Sequence, residues 1–167
     1  DCQVDGIGGS GMVADLVLRS SANSGGYSGL NAIQCGTAAD CHAVCYGGTA
    51  LAASQLAVNC LASATTGMGL SAVVVANSQG LSGSSYGVSA SVGAGTVGAS
   101  TSGYGAIFWV GRNCYGTTST GTYGLYANYL LTGSTGIGGA SAAIGSAHSL
   151  VTCYGSTVSA ANKYNMP

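Results

Sequence analysis

From Gly69 to Tyr123 the apolar and polar positions recur in three lines, GLSAVVVANSQGLSGSSY, GVSASVGAGTVGASTSGY and GAIFWVGRNCYGTTSTGTY. The lines open on Gly69, Gly87 and Gly105, close on Tyr86, Tyr104 and Tyr123, and run 18, 18 and 19 residues. With places counted from the opening glycine, places two, four, six and eight hold Leu70, Ala72, Val74 and Ala76, then Val88, Ala90, Val92 and Ala94. The same places hold Met12, Ala14, Leu16 and Leu18 in a line from Gly11, and Leu125, Ala127, Tyr129 and Leu131 in one from Gly124. Asp15, Ser71, Ser89 and Asn128 stand between them. A period of two over seven or eight residues predicts a strand with one buried face, because successive side chains point to opposite sides.

Fixed-period self-similarity is the signature of a repeat architecture, in which each unit buries its apolar face against its neighbours. Further copies start at Gly29 and, in looser form, near Ala50 and Ala142, which makes eight coils of 18 to 20 residues, two of them irregular. Units that follow one another in the same direction give parallel strands, and flanking glycines suit sharp corners. The expected fold is all-β, a single-domain parallel β-helix over residues 1–167, with 1–10 as a lead-in, 35–44 as an inserted loop and 156–167 as a C-terminal segment. Right-handed coils are expected, since the hexapeptide pattern of three-faced left-handed helices is missing: Leu70 and Ala76 are followed by Ser82.

Composition narrows the function. Charged residues make up 4% of the chain and the net charge is −1, against a norm of about 25% charged. Three basic residues offer too little to neutralise a phosphate backbone, so nucleic acid is not an expected partner. No apolar run reaches the roughly 20 residues of a membrane-spanning helix. The start at Asp1-Cys2 without Met reads as that of a processed mature chain.

Seven cysteines point to an oxidising compartment, yet their places point to packing. On this alignment Cys45, Cys60, Ser78, Thr96, Cys114 and Cys153 share the tenth place, so an internal stack of small side chains is expected. Adjacent coils about 4.8 Å apart bring Cys45 and Cys60 within reach of a bridge, although parallel Cβ vectors set its torsion awkwardly. Cys35 and Cys41 fall in the inserted loop and are candidates for a local disulfide. A metal site from Cys35, Cys41, His42 and Cys45 is the alternative, but the spacing matches neither C-x2-C pairs nor H-x3-H, so neither metal nor cofactor is expected. Arg112 falls at place eight, where a bulge must turn it outward, since burying an unpaired guanidinium is costly. Phe108 takes the slot of Ala90 and Ala127, whose small side chains leave room for its ring.

Catalysis lacks an inventory. There is no Glu, the four Asp lie in the first two coils and the lead-in, and His148 has no acidic neighbour in sequence. Tyr86, Tyr104 and Tyr123 occupy one slot on successive coils, a candidate face for sugar rings or a neighbouring subunit. Thr117, Thr118, Thr120 and Thr122 cluster within one coil instead of forming the regular threonine columns an ice-binding face needs. GLSA at 69–72, GLYA at 124–127 and NCYG at 113–116 resemble the Gly/Ala/Ser-rich β-helix repeat proteins of bacterial surfaces. That resemblance implies the fold and an extracellular or cell-surface setting, and brings no catalytic residues. The reading that absorbs most features is a structural subunit of an extracellular filament, a head-to-tail homopolymer of stacked β-helices. Its abundant Ser and Thr would accept O-linked sugars, and no Asn stands in an N-linked acceptor motif. The alternative is an adhesin-like β-helix that binds glycans through the tyrosine column.

Overall fold

The computed structural model describes residues 1–7, 10–25 and 31–165, and every regular element among them is a strand. Long strands form one parallel sheet of nine (sheet B): β2 (Met12–Leu18), β4 (Ile33–Ala39), β6 (Leu51–Val58), β8 (Leu70–Ala76), β10 (Val88–Ala94), β12 (Ala106–Arg112), β14 (Tyr123–Thr132), β16 (Ala142–Val151) and β18 (Val158–Tyr164). The odd-numbered strands form the second sheet of nine (sheet A), mostly four-residue strands, from β1 (Gln3–Ile7) through β3 (Ser21–Gly25) and β5 (His42–Cys45) to β17 (Tyr154–Gly155). The chain alternates between the two, so Leu70 pairs with Val88, Val88 with Ala106 and Ala106 with Leu125. This is a single parallel β-solenoid of about eight turns, as the repeat predicts.

Three segments differ from expectation. Residues 35–44 are no inserted loop, since they supply most of β4 and β5 and pair with strands on both sides, with one register shift between Cys35 and Thr37 against β6. Met12 pairs with Ile33 and Ser21 with His42, an offset of 21 in both sheets against 18 from Leu70 to Val88. The extra residues therefore lie between Gly25 and Ile33. The supposed lead-in carries β1, paired with β3, and the C-terminal segment carries β18, paired with β16.

The inward phase holds for the first half of the inner long strands but not for β2 at the open edge, where Ala14, expected inside, is exposed. Leu70, Val88 and Leu125 are fully buried, with Ala72 and Ala127 beside them, as expected for places two and four. Beyond place four the next inward position is place seven at Val17, Ala38, Val75, Gly93 and Gly111, after two intervening residues. It comes one residue later but in register with these at Ala57, Leu131 and Leu150, whose strands carry an extra residue. Places six and eight, expected inside, turn outward at Leu16, which is 57% exposed, Leu18, 45%, and Val92, 42%, whereas Leu131, place eight of its line, is buried as expected. Tyr129, also expected inside, is 46% exposed. The reason is the unequal length of the two sides. A bulge at place five reduces seven residues to three inward positions, matching the three at places ten, twelve and fourteen opposite. The same outward turn exposes Arg112.

The interior is one side chain deep. Place twelve on sheet A is Ala22, Ala43, Ala62, Gly80, Gly98, Gly116 and Gly136, and a Cβ on Gly98 would stand 2.7 Å from the Cβ of Ala106. Sheet B supplies the bulk of the core; sheet A supplies a nearly flat floor. Each corner between long and short strand is made by one left-handed residue at place nine, with φ from 45° to 57°: Arg19, Asp40, Asn59, Asn77, Gly95, Asn113, Gly133 and Thr152. Six of these eight are Asn, Asp or Gly, the exceptions being Arg19 and Thr152, which follows from the low cost of that conformation for these residue types.

Candidate functional site

The residue after each corner points back into the solenoid. Ser20, Cys41, Cys60, Ser78, Thr96, Cys114, Ser134 and Cys153 form one buried column through all the coils. Each hydroxyl or thiol donates to the carbonyl two residues earlier, across the left-handed corner: 2.8 Å from Ser78 to Ala76, 3.0 Å from Thr96 to Ala94 and 3.2 Å from Cys114 to Arg112. Place ten therefore selects a short side chain with one donor, which explains why Ser, Thr and Cys interchange there. The column includes Cys60, Ser78, Thr96, Cys114 and Cys153 as read from the sequence, with Cys41 in the rung assigned to Cys45. Cys45 stands at place fourteen beside Ser24 and Ala64, donating to the Gly48 carbonyl at 3.3 Å.

All seven cysteines are free thiols, and six are buried. Cys35 and Cys41 form no disulfide, because Cys35 faces the interior at place four while Cys41 lies beyond the corner. Cys45 and Cys60 lie in different columns and form none either. Burial pushes the Cys35 and Cys60 thiols up to about 11, with neighbouring Cys41 adding to the effect at Cys35. The Cys114 and Cys153 thiols are raised by burial as well. His42 projects outward from the start of β5, and no three His, Cys, Asp or Glu side chains among the described residues come together in metal-binding geometry.

The tyrosine column packs on itself. Tyr86 meets Tyr104 edge-on at 5.3 Å, Tyr104 stacks on Tyr123 at 5.7 Å, and Tyr126 closes on Tyr123 at 4.8 Å. All four rings are half-buried, and burial followed by the other tyrosines raises the Tyr104 hydroxyl above its ordinary value. A second aromatic column, not read from the sequence, stands on the outer face of sheet B: Trp109 stacks on Tyr129 at 6.4 Å and Tyr129 on His148 at 4.8 Å. The bulge at place five hid it, since strict alternation sends Tyr129 inside.

Charge is distributed unevenly along the axis. Asp1, Asp5, Asp15 and Asp40 lie in the first coils with Arg19, whose Nε is 3.2 Å from Asp1 in an exposed pair. From Cys41 onward the formally charged side chains are Arg112 and Lys163. Lys163 continues the inward place-seven column onto the last described coil through its pairing with Leu150, and it donates to the Val158 carbonyl at 3.4 Å. No protein-family model matches this chain, and no curated protein or solved structure matches it either.

Proposed function

We propose that this chain is a structural subunit that stacks end to end into an extracellular β-solenoid filament. The supporting observation is the likeness of its two sheet-B edges. β2 and β18 are both seven-residue strands, each followed by a left-handed corner residue, Arg19 at φ 45° and Asn165 at φ 48°. Among the described residues each is paired on one side only, so a row of backbone N–H and C=O groups is left at either end. Setting the β18 edge of one copy on the β2 edge of the next continues the parallel ladder with its corners aligned. Head-to-head docking would oppose the acidic first coils, so like-charge repulsion favours the head-to-tail order, which is open and propagates.

Exposed Thr65, Thr66, Ser84, Thr101 and Ser119 line the return turns and offer hydroxyls to O-linked sugars, a solubilising layer for a surface so poor in charge. Negative-stain images and sedimentation velocity across a concentration series test the assembly. Unbranched filaments one solenoid wide are expected. A chain that stays monomeric at every concentration overturns the reading.

A further inference from the structure

The aromatic column on sheet B ends in an open notch. The registers fix its order: Ala72, Ala90 and Phe108 pair on one side and Val74, Val92 and Val110 on the other, so Val73 lies beside Ser91 and Ser91 beside Trp109. Trp109 and Tyr129 are parallel to within 6°, and Tyr129 and His148 to within 25°. The rings therefore stand with their faces along the solenoid axis. Tyr129 covers one indole face; the other looks onto Ser91, whose side chain is too short to fill its rung. Trp109 is 57% exposed and Val73 50%. One wall of the notch is an indole face, the other is the Val73 methyls, and the floor carries the Ser91 hydroxyl.

Rungs repeat at about 4.8 Å, which puts the walls two spacings, about 9.6 Å, apart. One saturated ring fits between them at an ordinary van der Waals separation of about 4 Å from either side. A pyranose suits such a place, since its C–H faces pack on aromatic and aliphatic surface while its rim hydroxyls seek a polar floor. Stacking on Tyr129 already holds the indole in one orientation, so docking orders little that is not ordered before.

Charge decides which saccharide. No acidic side chain follows Asp40. Arg112 lies on the same strand and outer face as Trp109, three residues along, about 10 Å away, and pairs with Ala94 on the coil that floors the notch. We propose that this notch binds one pyranose ring of an acidic saccharide, with the carboxylate or sulfate of an adjoining sugar on Arg112.

Trp109 is the only tryptophan, so its fluorescence reports on the site directly. Titration with a hexamer of galacturonate in about 50 mM salt is expected to give a saturable change in emission. The neutral hexamer of glucose should bind about fivefold more weakly, as should the Arg112→Gln variant with the acidic ligand. Ser91→Tyr fills the empty rung with a ring that continues the stack, and should abolish the titration while leaving the far-ultraviolet circular dichroism unchanged. No emission change with the acidic hexamer up to about 10 mM, a free energy of binding too small for a built site, overturns the proposal. So does undiminished binding by a folded Ser91→Tyr protein, and an equal response to the neutral hexamer overturns the assignment to an acidic saccharide.

Discussion

Phe108 fills the space that a side chain on Gly93 would need: Cδ1 of its ring lies 2.6 Å from where a Cβ of residue 93 would stand. Gly111, on the ring's own coil, is placed likewise, with Cδ2 at 3.0 Å. The largest fully buried side chain is thus admitted because place seven is empty on two consecutive coils. Phe108 is 1% exposed and has nowhere to retreat. Gly93→Ala is expected to cost about 1–3 kcal/mol through overpacking, and Phe108→Ala about 3–5 kcal/mol through the cavity it leaves. Urea denaturation measures both, and adding Phe108→Leu to Gly93→Ala should recover part of the first loss. A Gly93→Ala protein as stable as the parent would contradict the tight fit.

The corners give a prediction of opposite signs. Thr152 adopts φ 48° at a position where all the other coils but that of Arg19 use Asn, Asp or Gly, and a β-branched residue is strained there. Thr152→Gly is expected to raise stability by about 1 kcal/mol, and Asn77→Ala to lower it by a similar amount. The two midpoints in a denaturant series should move in opposite directions. Movement of both in the same direction would show that side-chain contacts, not backbone conformation, govern place nine.

These corners also mark the limit of what the sequence made legible. Period-two alternation identified strands, parallel order and the inward positions Leu70, Ala72, Val88, Leu125 and Ala127. It failed beyond place four because two adjacent residues face outward there, as Val73 and Val74 do, and alternation carries no warning of such a shift. A second signal was present and unused. Asn59-Cys60, Asn77-Ser78, Gly95-Thr96, Asn113-Cys114 and Gly133-Ser134 each join a residue tolerant of positive φ to a short hydroxyl or thiol. Asp40-Cys41 belongs to the same series, and reading it would have placed Cys41 instead of Cys45 in the column. The aromatic notch was out of reach, since it depends on the bulge that brings Trp109, Tyr129 and His148 to one ridge.

The thiols should behave as packing. Only Cys2 is exposed, so one thiol per chain is expected to react rapidly with a disulfide reagent under native conditions, and all seven after unfolding. For Cys35 and Cys60, folding raises the thiol from 9.0 to about 11, so the folded state holds these protons more tightly than the unfolded chain. Stability from this source is complete below about pH 9 and is lost as pH rises toward about 11. Cys60→Ser keeps the donor at place ten and removes one titrating group, so its stability should fall less steeply over that range. Equal slopes for variant and parent would rule out Cys60 as a source of the alkaline loss.

End-to-end stacking turns on the place-seven column, which begins at Val17, 3% exposed on the first long strand, and reaches Lys163 on the last. In a head-to-tail junction Lys163 of one copy meets Val17 of the next. An ammonium enclosed there without a partner is costly, so it must thread outward along its aliphatic stem, and the parent junction is correspondingly weak. Lys163→Leu completes the apolar column and is expected to lower the concentration for half-assembly at least about tenfold, equivalent to about 1.4 kcal/mol per junction. Leu16 is unsuitable for the converse test because it faces outward, whereas Val17→Lys puts charge on both sides of the junction and should leave only monomers. Circular dichroism of the Val17→Lys protein separates a blocked junction from a melted first coil, and analytical ultracentrifugation of the three proteins reads the assembly. If Lys163→Leu leaves the distribution of sizes where the parent has it, the edges of β2 and β18 are not the junction.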